Sequence, residues 1–251
     1  GINAFGDRHV LGHLIQRDDP AFIAAPLESA EFKDVINAFP DYVLIFFDDE
    51  TVLYVDRQRY PRIAEAHELK MVDPFRLASE DVPAILEGID RVAFMQEIQR
   101  MLQVDPDGLQ TNHVAAVVYN EEGRHDRALE HADRIIRNFP DLMTGYGLKG
   151  DALQAMHLLP QAVASYRLAA SKPKDPRRTP IVYRQLGLAY LRLQRYPEAY
   201  TALRRSIAPF AASASFRDLY HLGLAALLTG RTREAALYFY GSYHKRPREE
   251  G

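Results

Sequence analysis

Several side chains in the sequence have the type and spacing that a metal site requires. His9 and His13 lie four residues apart, so on a helix they share one face, as two ligands of a metal ion do. No third ligand follows at a fitting spacing, although Asp7 is near, and we interpret both as surface or packing histidines. Asp48-Asp49-Glu50 offers three carboxylates, but a calcium loop spreads its ligands over a longer stretch with a glycine turn. This acidic run is therefore predicted to be a solvated hairpin tip.

A glycine-rich motif and a His-Asp pair also have explanations other than catalysis. Gly145-Tyr-Gly147 followed by Gly150 spells G-x-G-x-x-G, but this phosphate-binding pattern has meaning only after a strand, and here it lies within a predicted helix. His125-Asp126 lies in a predicted turn between helices. The chain has no Cys, which excludes thiol nucleophiles and Cys-ligated zinc. We therefore predict no catalytic residue, no metal and no cofactor, and we do not expect this chain in isolation to be an enzyme.

Composition and charge limit the class of protein. The 251 residues are 47% hydrophobic and 26% charged, which allows one large domain or two small ones. Residues 1–76 carry a net charge of −6 and residues 77–251 a net charge of +3, so two units of different character are expected, neither basic enough for nucleic-acid binding. No stretch approaches the roughly 18–20 apolar residues that cross a bilayer. The compartment stays open: cytoplasmic, or extracytoplasmic if the chain, which starts on Gly, is a piece of a membrane protein.

A repeat of about 34 residues runs through the second half of the chain. Its small residues stand 34, 37 and 36 positions apart, and an alanine follows each of them twelve positions later. Small side chains at both places let two helices of one unit approach closely. The small residues are Ala116, Gly150, Gly187 and Gly223, and the alanines are Ala128, Ala162, Ala199 and Ala235. The predicted turns between helices are Gly123-Arg124, Leu159-Pro160, Gln194-Arg195-Tyr196 and Gly230-Arg231, and Pro140 and Pro247 are predicted to end second helices.

This pattern resembles the tetratricopeptide repeat (TPR) family, whose unit is a helix, a turn and a second helix. The resemblance implies a mainly α fold, a TPR-like superhelix of four repeats at about 109–142, 143–179, 180–215 and 216–249. Residues 77–108 keep part of the pattern and are predicted to be a degenerate repeat that caps the array, with a first helix from about Ser79 to Gly88. An ordinary helical bundle is the alternative, but four copies in register with matching turns argue against it.

The segment before the repeats breaks the helical pattern. Residues 31–39 have the apolar spacing of an amphipathic helix, which Pro40 stops. Residues 42–47 and 52–55 read as two strands joined by the acidic run, and residues 62–70 as another short helix. Residues 1–76 are therefore predicted to form a small α/β module with a β-hairpin.

This module has a resemblance of its own, carried by short motifs. Phe5-Gly-Asp-Arg8, Phe39-Pro-Asp-Tyr-Val-Leu44 and Val52-Leu-Tyr-Val-Asp-Arg57 are similar to the soluble α/β segment that follows the membrane spans of bacterial protein-mannosyltransferase-like glycosyltransferases. Some of those proteins carry TPR units afterwards. The first motif lacks the spacing residue usual before its arginine. The resemblance implies that this chain is the soluble extracytoplasmic C-terminal region of such an enzyme.

The repeats imply a partner-binding surface instead of an active site. In TPR superhelices the first helices line a concave groove, and positions around the small residue face into it. Here those positions are His113, Val117, Asn120, Asp151, Gln154, Arg184, Leu188, Leu191, Arg192, Arg217, Tyr220, Leu224 and Leu227. The far half is apolar with flanking arginines, which suits a partner helix or an extended acidic-hydrophobic segment. Alternatively the chain's own C-terminus or a second copy covers the leucines.

We therefore expect an interaction scaffold that binds another protein or peptide in this groove. The alternative is the glycosyltransferase tail, in which the repeats recruit partner or acceptor proteins. A third interpretation is a homo-oligomer assembled through the last repeat.

Overall fold

The computed structural model describes residues 8–79, 81–207 and 214–245, without the side chains of Arg8, Ala30 and Ser79. Phe5, Asp7 and Pro247 lie outside the described residues, as does the side chain of Ser79, where the first helix of the capping repeat was predicted to begin. The chain divides into two compact units, Gly1–Val118 and Tyr119–Gly251. This division falls inside a helix, whereas the predicted domain boundaries fall at residues 76 and 108, and those boundaries stay predictions.

The first unit contains a three-stranded antiparallel sheet in the order β1-β3-β2. Its strands are β1 (Phe22–Pro26), β2 (Tyr42–Phe47) and β3 (Thr51–Asp56). β2 and β3 form the predicted hairpin, with a register shift between Leu44 and Phe46. β1 is an addition to the prediction, and its alternating burial places Ile23 and Ala25 in the core. The predicted α/β module is therefore present, with one strand more than the sequence indicated.

The other described elements of the first unit are helices. They are α1 (Arg8–Asp18), α2 (Ala30–Ile36), α3 (Pro61–His67), α4 (Pro74–Ser79), α5 (Val82–Ile85), α6 (Arg91–Val104) and α7 (Leu109–Glu121), which continues into the second unit. Ser29 caps α2 through its side chain, and Asp90 caps α6 in the same way. The helix expected over residues 79–88 is not one continuous element, because α4 ends at Ser79, α5 covers only Val82–Ile85, and Gly88 has a φ of +77°.

Buried polar contacts join α6 to the chain that follows the sheet. The carboxylate of Glu97 is 7% exposed, and it accepts hydrogen bonds from the backbone N–H groups of Lys70, Met71 and Val72 at 2.8, 2.9 and 3.0 Å. Arg100 donates to the carbonyl oxygens of Ala66 and Glu68. These bonds satisfy backbone groups of residues 68–72, which lie outside regular structure, and the carbonyl of Ala66 in the last turn of α3.

The acidic hairpin tip is more than a solvated turn. Asp48 does act locally, because its Oδ1 accepts from the backbone of Glu50 and Thr51. Asp49, however, accepts hydrogen bonds from the backbone N–H groups of Leu109 and Gln110, both at 2.8 Å. These donors belong to the first turn of α7, whose N–H groups have no partner within the helix. The expectation of a fully solvated tip was therefore wrong for Asp49, and only Glu50 is exposed.

The second unit is entirely helical among its described residues. After the end of α7 it contains α8 (His125–Asn138), α9 (Met143–Ala155), α10 (Leu159–Ser171), α11 (Arg178–Arg192), α12 (Tyr196–Ile207), α13 (Phe216–Leu228) and α14 (Thr232–Lys245). α9, α11 and α13 are first helices of the predicted repeats, and α8, α10, α12 and α14 are second helices. The fold is thus mainly α, as predicted, with a small α/β module before the helical array.

Candidate partner-binding surface

Glycines on the first helices allow the second helices to pack directly against them. A Cβ atom added at Gly150 would lie 2.5 Å from Cδ1 of Tyr166, and one added at Gly187 would lie 2.6 Å from Cγ of Leu203. At Gly223 the nearest atoms belong to the ring of Phe239, at 2.9 Å. Real Cβ contacts are not this short, so these positions have no room for a side chain. This geometry agrees with the predicted role of small residues at these positions.

The turn inside each repeat contains one residue in the left-handed region. These residues are Gly123, His157, Gln194 and Gly230, with φ of 75°, 61°, 58° and 79°. Their spacing repeats that of the small packing residues. In the second repeat the turn was predicted at Leu159-Pro160, which is wrong because both residues begin α10, where proline is favoured. The other three predicted turns contain the left-handed residue.

The hydrogen bonds of these turns are the same in all four repeats. The left-handed residue donates its N–H to the carbonyl three residues earlier, and the next residue donates to the carbonyl five residues earlier. For example, Gly123 donates to Asn120 at 3.2 Å and Arg124 donates to Tyr119 at 2.8 Å. This is the Schellman arrangement, which satisfies carbonyl groups at the end of a helix. It gives every first helix the same exit direction.

The predicted groove residues lie on the first helices, and intramolecular contacts involve several of them. His113 and Val117 lie on the part of α7 that belongs to the first unit, and both are half-buried. In the second unit, Asn120 Oδ1 lies 2.9 Å from Nδ1 of His125. Arg184 Nε lies 2.8 Å from Oδ1 of Asp218.

Asp218 has a structural role that the sequence did not reveal. It forms a capping box with Ser215 at the start of α13, in which each side chain contacts the backbone N–H of the other residue. Its carboxylate is buried and also pairs with Arg184. Arg184 therefore has an ion-pair partner in the second unit, although its Nε makes no hydrogen bond with the described residues, and its place in the groove stays a prediction.

Two polar groove residues on α9 are held in buried surroundings. The hydroxyl of Tyr166 donates to Asp151 at 2.6 Å. Burial raises the pKa of Asp151 to about 6, against the opposing effect of the hydrogen bond from Tyr166. Oε1 of Gln154 is buried and has no hydrogen-bond donor among the described residues.

The far half of the surface is apolar and more open. Leu188, Leu191 and Leu224 are half-buried, whereas Tyr220 is 51% and Leu227 46% exposed. Arg192 and Arg217 are exposed, and neither has a carboxylate partner among the residues that the structure describes.

An aromatic cleft at the last repeat was only partly anticipated. It has a volume of about 540 Å³, and predicted residues Arg217 and Tyr220 line it together with Phe216, His221, Phe239, Ser242 and Tyr243. The α14 residues were missed because they lie on a second helix. The outer side of α14 also exposes Leu237, Tyr240 and Tyr243, at 71%, 67% and 76%. These side chains are relevant to the expected self-assembly, which stays a prediction.

The chemically suggestive motifs of the sequence do not assemble into a site. His9 and His13 are exposed on α1, and no cluster of three or more possible metal ligands occurs within residues 8–79, 81–207 and 214–245. Gly145, Gly147 and Gly150 are buried inside α9, as expected for packing glycines. His125 begins α8. None of the helices in the described ranges is both long and apolar enough to cross a membrane.

Comparisons with known proteins agree with the helical repeat. Residues 115–142 match the model of the tetratricopeptide repeat family. No curated protein matches this sequence. MamA from Desulfovibrio magneticus RS-1 is 13% identical with a TM-score of 0.52, over 77% of this chain and 97% of its own. PilF from Pseudomonas aeruginosa is 14% identical with a TM-score of 0.56, over 77% of this chain and 78% of its own.

A further structural neighbour is YrrB, described as a TPR protein with an unusual peptide-binding site. It is 15% identical to this chain with a TM-score of 0.53, over 60% of this chain and 75% of its own. The helical array therefore has the TPR fold, as the sequence predicted. The resemblance of residues 1–76 to a glycosyltransferase segment stays a prediction, since none of these neighbours bears on it.

Proposed function

We propose that this chain is an interaction module that binds a segment of a partner protein along the first helices α9, α11 and α13. The observation behind the proposal is that equivalent positions on three successive first helices remain accessible. Asp151, Leu188 and Leu224 are one such set, and Gln154, Leu191 and Leu227 are the next, one turn further along each helix. The described members of these sets are half-buried or exposed. Because they occupy equivalent positions on successive repeats, these six residues form one surface, which we call the first-helix strip.

The chemistry of the strip favours an acidic-hydrophobic partner segment. Its leucines provide apolar contact area, and burial of such area is the main favourable contribution to association. Arg192 and Arg217 flank these leucines, and guanidinium groups pair with carboxylates through two parallel hydrogen bonds.

The TPR fold supports this proposal because other proteins of that fold present peptide-binding surfaces. YrrB, a structural neighbour, is described as having a peptide-binding site. That description belongs to YrrB, and the proposal for this chain depends on its own strip of side chains.

An array of acidic-hydrophobic peptides tests the proposal with three single variants. Arg192→Glu, Tyr220→Ala and Leu227→Asp alter exposed groups in or beside the first-helix strip, so each variant is expected to fold and to lose at least about tenfold in affinity for the peptides that the unmodified chain binds. Arg137→Glu is the matched control, because Arg137 is exposed on α8, outside the strip. Retention of every bound peptide by all three variants would refute the proposal.

A further inference from the structure

A cleft of about 470 Å³ is lined by the second helices α10 and α12 and by one face of the first helix α11. Leu186, Tyr190 and Ala202 are buried and form its apolar floor. Arg167 of α10 and Arg205 of α12 line the cleft from its two sides, and both are exposed. The cleft thus combines an apolar base with cationic walls.

This cleft is separate from the strip on the first helices. On α11 it uses Tyr183, Leu186 and Tyr190, which recur at intervals of three and four residues and share one helix face. The strip uses Leu188 and Leu191, which lie on another face of the same helix. Helix α11 therefore contributes to two surfaces, and the partner binding proposed for the first-helix strip does not involve the cleft.

The two arginines on the cleft walls form no ion pair with any residue that the structure describes. Arg205 lies over the ring of Tyr183, with 5.6 Å between its guanidinium carbon and the ring centroid. Neither Arg205 nor Arg167 has a carboxylate partner among the described residues. Glu198 also lines the cleft, but it accepts a hydrogen bond from Nε of Arg195 at 2.9 Å. The cleft keeps a net positive charge.

The three preceding helices, α8, α9 and α10, carry an ion pair at the equivalent positions. The position of Arg167 corresponds to Asp133 on α8, and that of Leu186 corresponds to Lys149 on α9. Asp133 and Lys149 form an ion pair of 2.8 Å between partly exposed side chains, which neutralises both charges. In the cleft an arginine and a leucine replace this pair, so a cation is left beside an apolar floor.

We propose that this cleft binds an extended acidic peptide segment, with carboxylates paired to Arg167 and Arg205 and a small apolar side chain on the floor. Guanidinium groups are suited to carboxylates because their N–H groups form a planar fork. The hydroxyls of Ser171 and Thr201 donate to the carbonyls of Leu168 and Pro197 at 2.7 and 2.9 Å. Their oxygens keep lone pairs that accept peptide N–H groups.

The test measures binding of synthetic peptides to the full chain by fluorescence anisotropy. The probe is a fluorescein-labelled decapeptide in which glutamate alternates with leucine and alanine. A counterpart with glutamine in place of glutamate removes the charge, and decaglutamate removes the apolar side chains. We expect the first peptide to bind most tightly and its affinity to fall with added salt.

Four charge-reversal variants locate the peptide. Arg167→Glu and Arg205→Glu are expected to weaken binding by at least about tenfold each, since each places a like charge against a carboxylate. Arg137→Glu makes the same charge change outside the cleft and is expected to alter affinity less than about twofold. Arg192→Glu reverses a charge beside the first-helix strip, so it reports whether the peptide binds there instead of in the cleft. Circular dichroism verifies that each variant is folded.

The outcomes separate this inference from the proposed function. Unchanged affinity in Arg167→Glu and Arg205→Glu overturns the cleft, as does equal binding of the glutamine peptide. A loss confined to Arg192→Glu also overturns the cleft and assigns the peptide to the first-helix strip. If decaglutamate binds as tightly as the mixed peptide, the apolar floor does not contribute to binding, and that part of the proposal is wrong.

Discussion

The left-handed turn residues of the second and third repeats are expected to reduce the stability of the chain. His157 and Gln194 have φ of 61° and 58°, in a region that costs a residue with a Cβ roughly 1–2 kcal/mol. The equivalent positions in the first and fourth repeats are Gly123 and Gly230, which adopt this conformation freely. Both His157 and Gln194 are exposed, so replacing them removes no packing.

His157→Gly and Gln194→Gly are therefore predicted to stabilise the protein. Relief of the left-handed strain raises the free energy of unfolding of the variants. The greater freedom of glycine in the unfolded chain lowers it by about 0.4–1 kcal/mol. The net gain is about 0.5–1 kcal/mol per site. Since a change of 1 kcal/mol moves the melting temperature of a domain of 150–250 residues by roughly 2–4 °C, the double variant, with a combined gain of about 1–2 kcal/mol, is expected to melt about 2–8 °C higher.

The reciprocal substitutions provide the comparison. Gly123→Ala and Gly230→Ala are expected to lose about 1 kcal/mol each. No atom lies within 4 Å of a Cβ placed at either glycine, so the loss reflects backbone conformation and not a clash. Ala164→Gly, at an exposed position inside α10, is the control for adding glycine in a helix and is expected to destabilise by about 1 kcal/mol.

Urea unfolding followed by circular dichroism measures these changes in the full chain. The expected pattern is stabilisation when glycine enters a turn and destabilisation when it enters the helix. If His157→Gly and Gln194→Gly both leave the unfolding midpoint unchanged or lower it, the reasoning from left-handed strain is refuted.

Three further predictions concern the packing and buried charges of the two units. Gly150→Ala is expected to destabilise the protein by about 1–3 kcal/mol, because the added Cβ overlaps the ring of Tyr166. Gly147→Ala, where the nearest atom to an added Cβ is at 3.7 Å, is expected to stabilise the protein by about 1 kcal/mol through helix propensity. Thermal melting distinguishes the two variants. Glu97→Ala leaves three backbone N–H groups without their acceptor, so its free energy of unfolding in urea is expected to fall by about 3 kcal/mol. The control Gln96→Ala, at an exposed neighbouring position, is expected to leave the stability unchanged. Folding raises the pKa of Asp151 from 3.8 to about 6, so the folded state holds a proton that the unfolded state releases, and stability is expected to fall by about 2–3 kcal/mol as the pH rises from 3.8 to 6. Asp151→Asn is expected to remove that dependence, and equal pH profiles for the two proteins would contradict the assignment.

The sequence predicted the features that depend on local sterics. Gly150 and Gly187 mark helix contacts because no larger side chain fits there, and such a constraint repeats with the unit. The hairpin of β2 and β3 was predictable from two apolar runs joined by four turn-forming residues. These signals lie within a few residues of one another.

Features that depend on distant partners were not predictable. β1 is short and contains two alanines and a proline, so only its pairing with β3 identifies it as a strand. The role of Asp218 depends on Arg184, which lies on another helix. His157 was missed as a turn residue because the sequence rule looks for glycine, whereas the hydrogen bonds of the Schellman turn hold a histidine there.

The contact between Asp49 and α7 has a practical consequence for dissecting this protein. A fragment that starts at residue 109, where the repeat pattern begins, loses the carboxylate that receives the N–H groups of Leu109 and Gln110. Such a fragment starts with a frayed helix, and poor behaviour in isolation would then reflect the choice of cut and not an intrinsic weakness of the repeats. Expression plasmids for the repeats should therefore retain the upstream hairpin, or supply an aspartate or serine directly before residue 109 as a substitute cap.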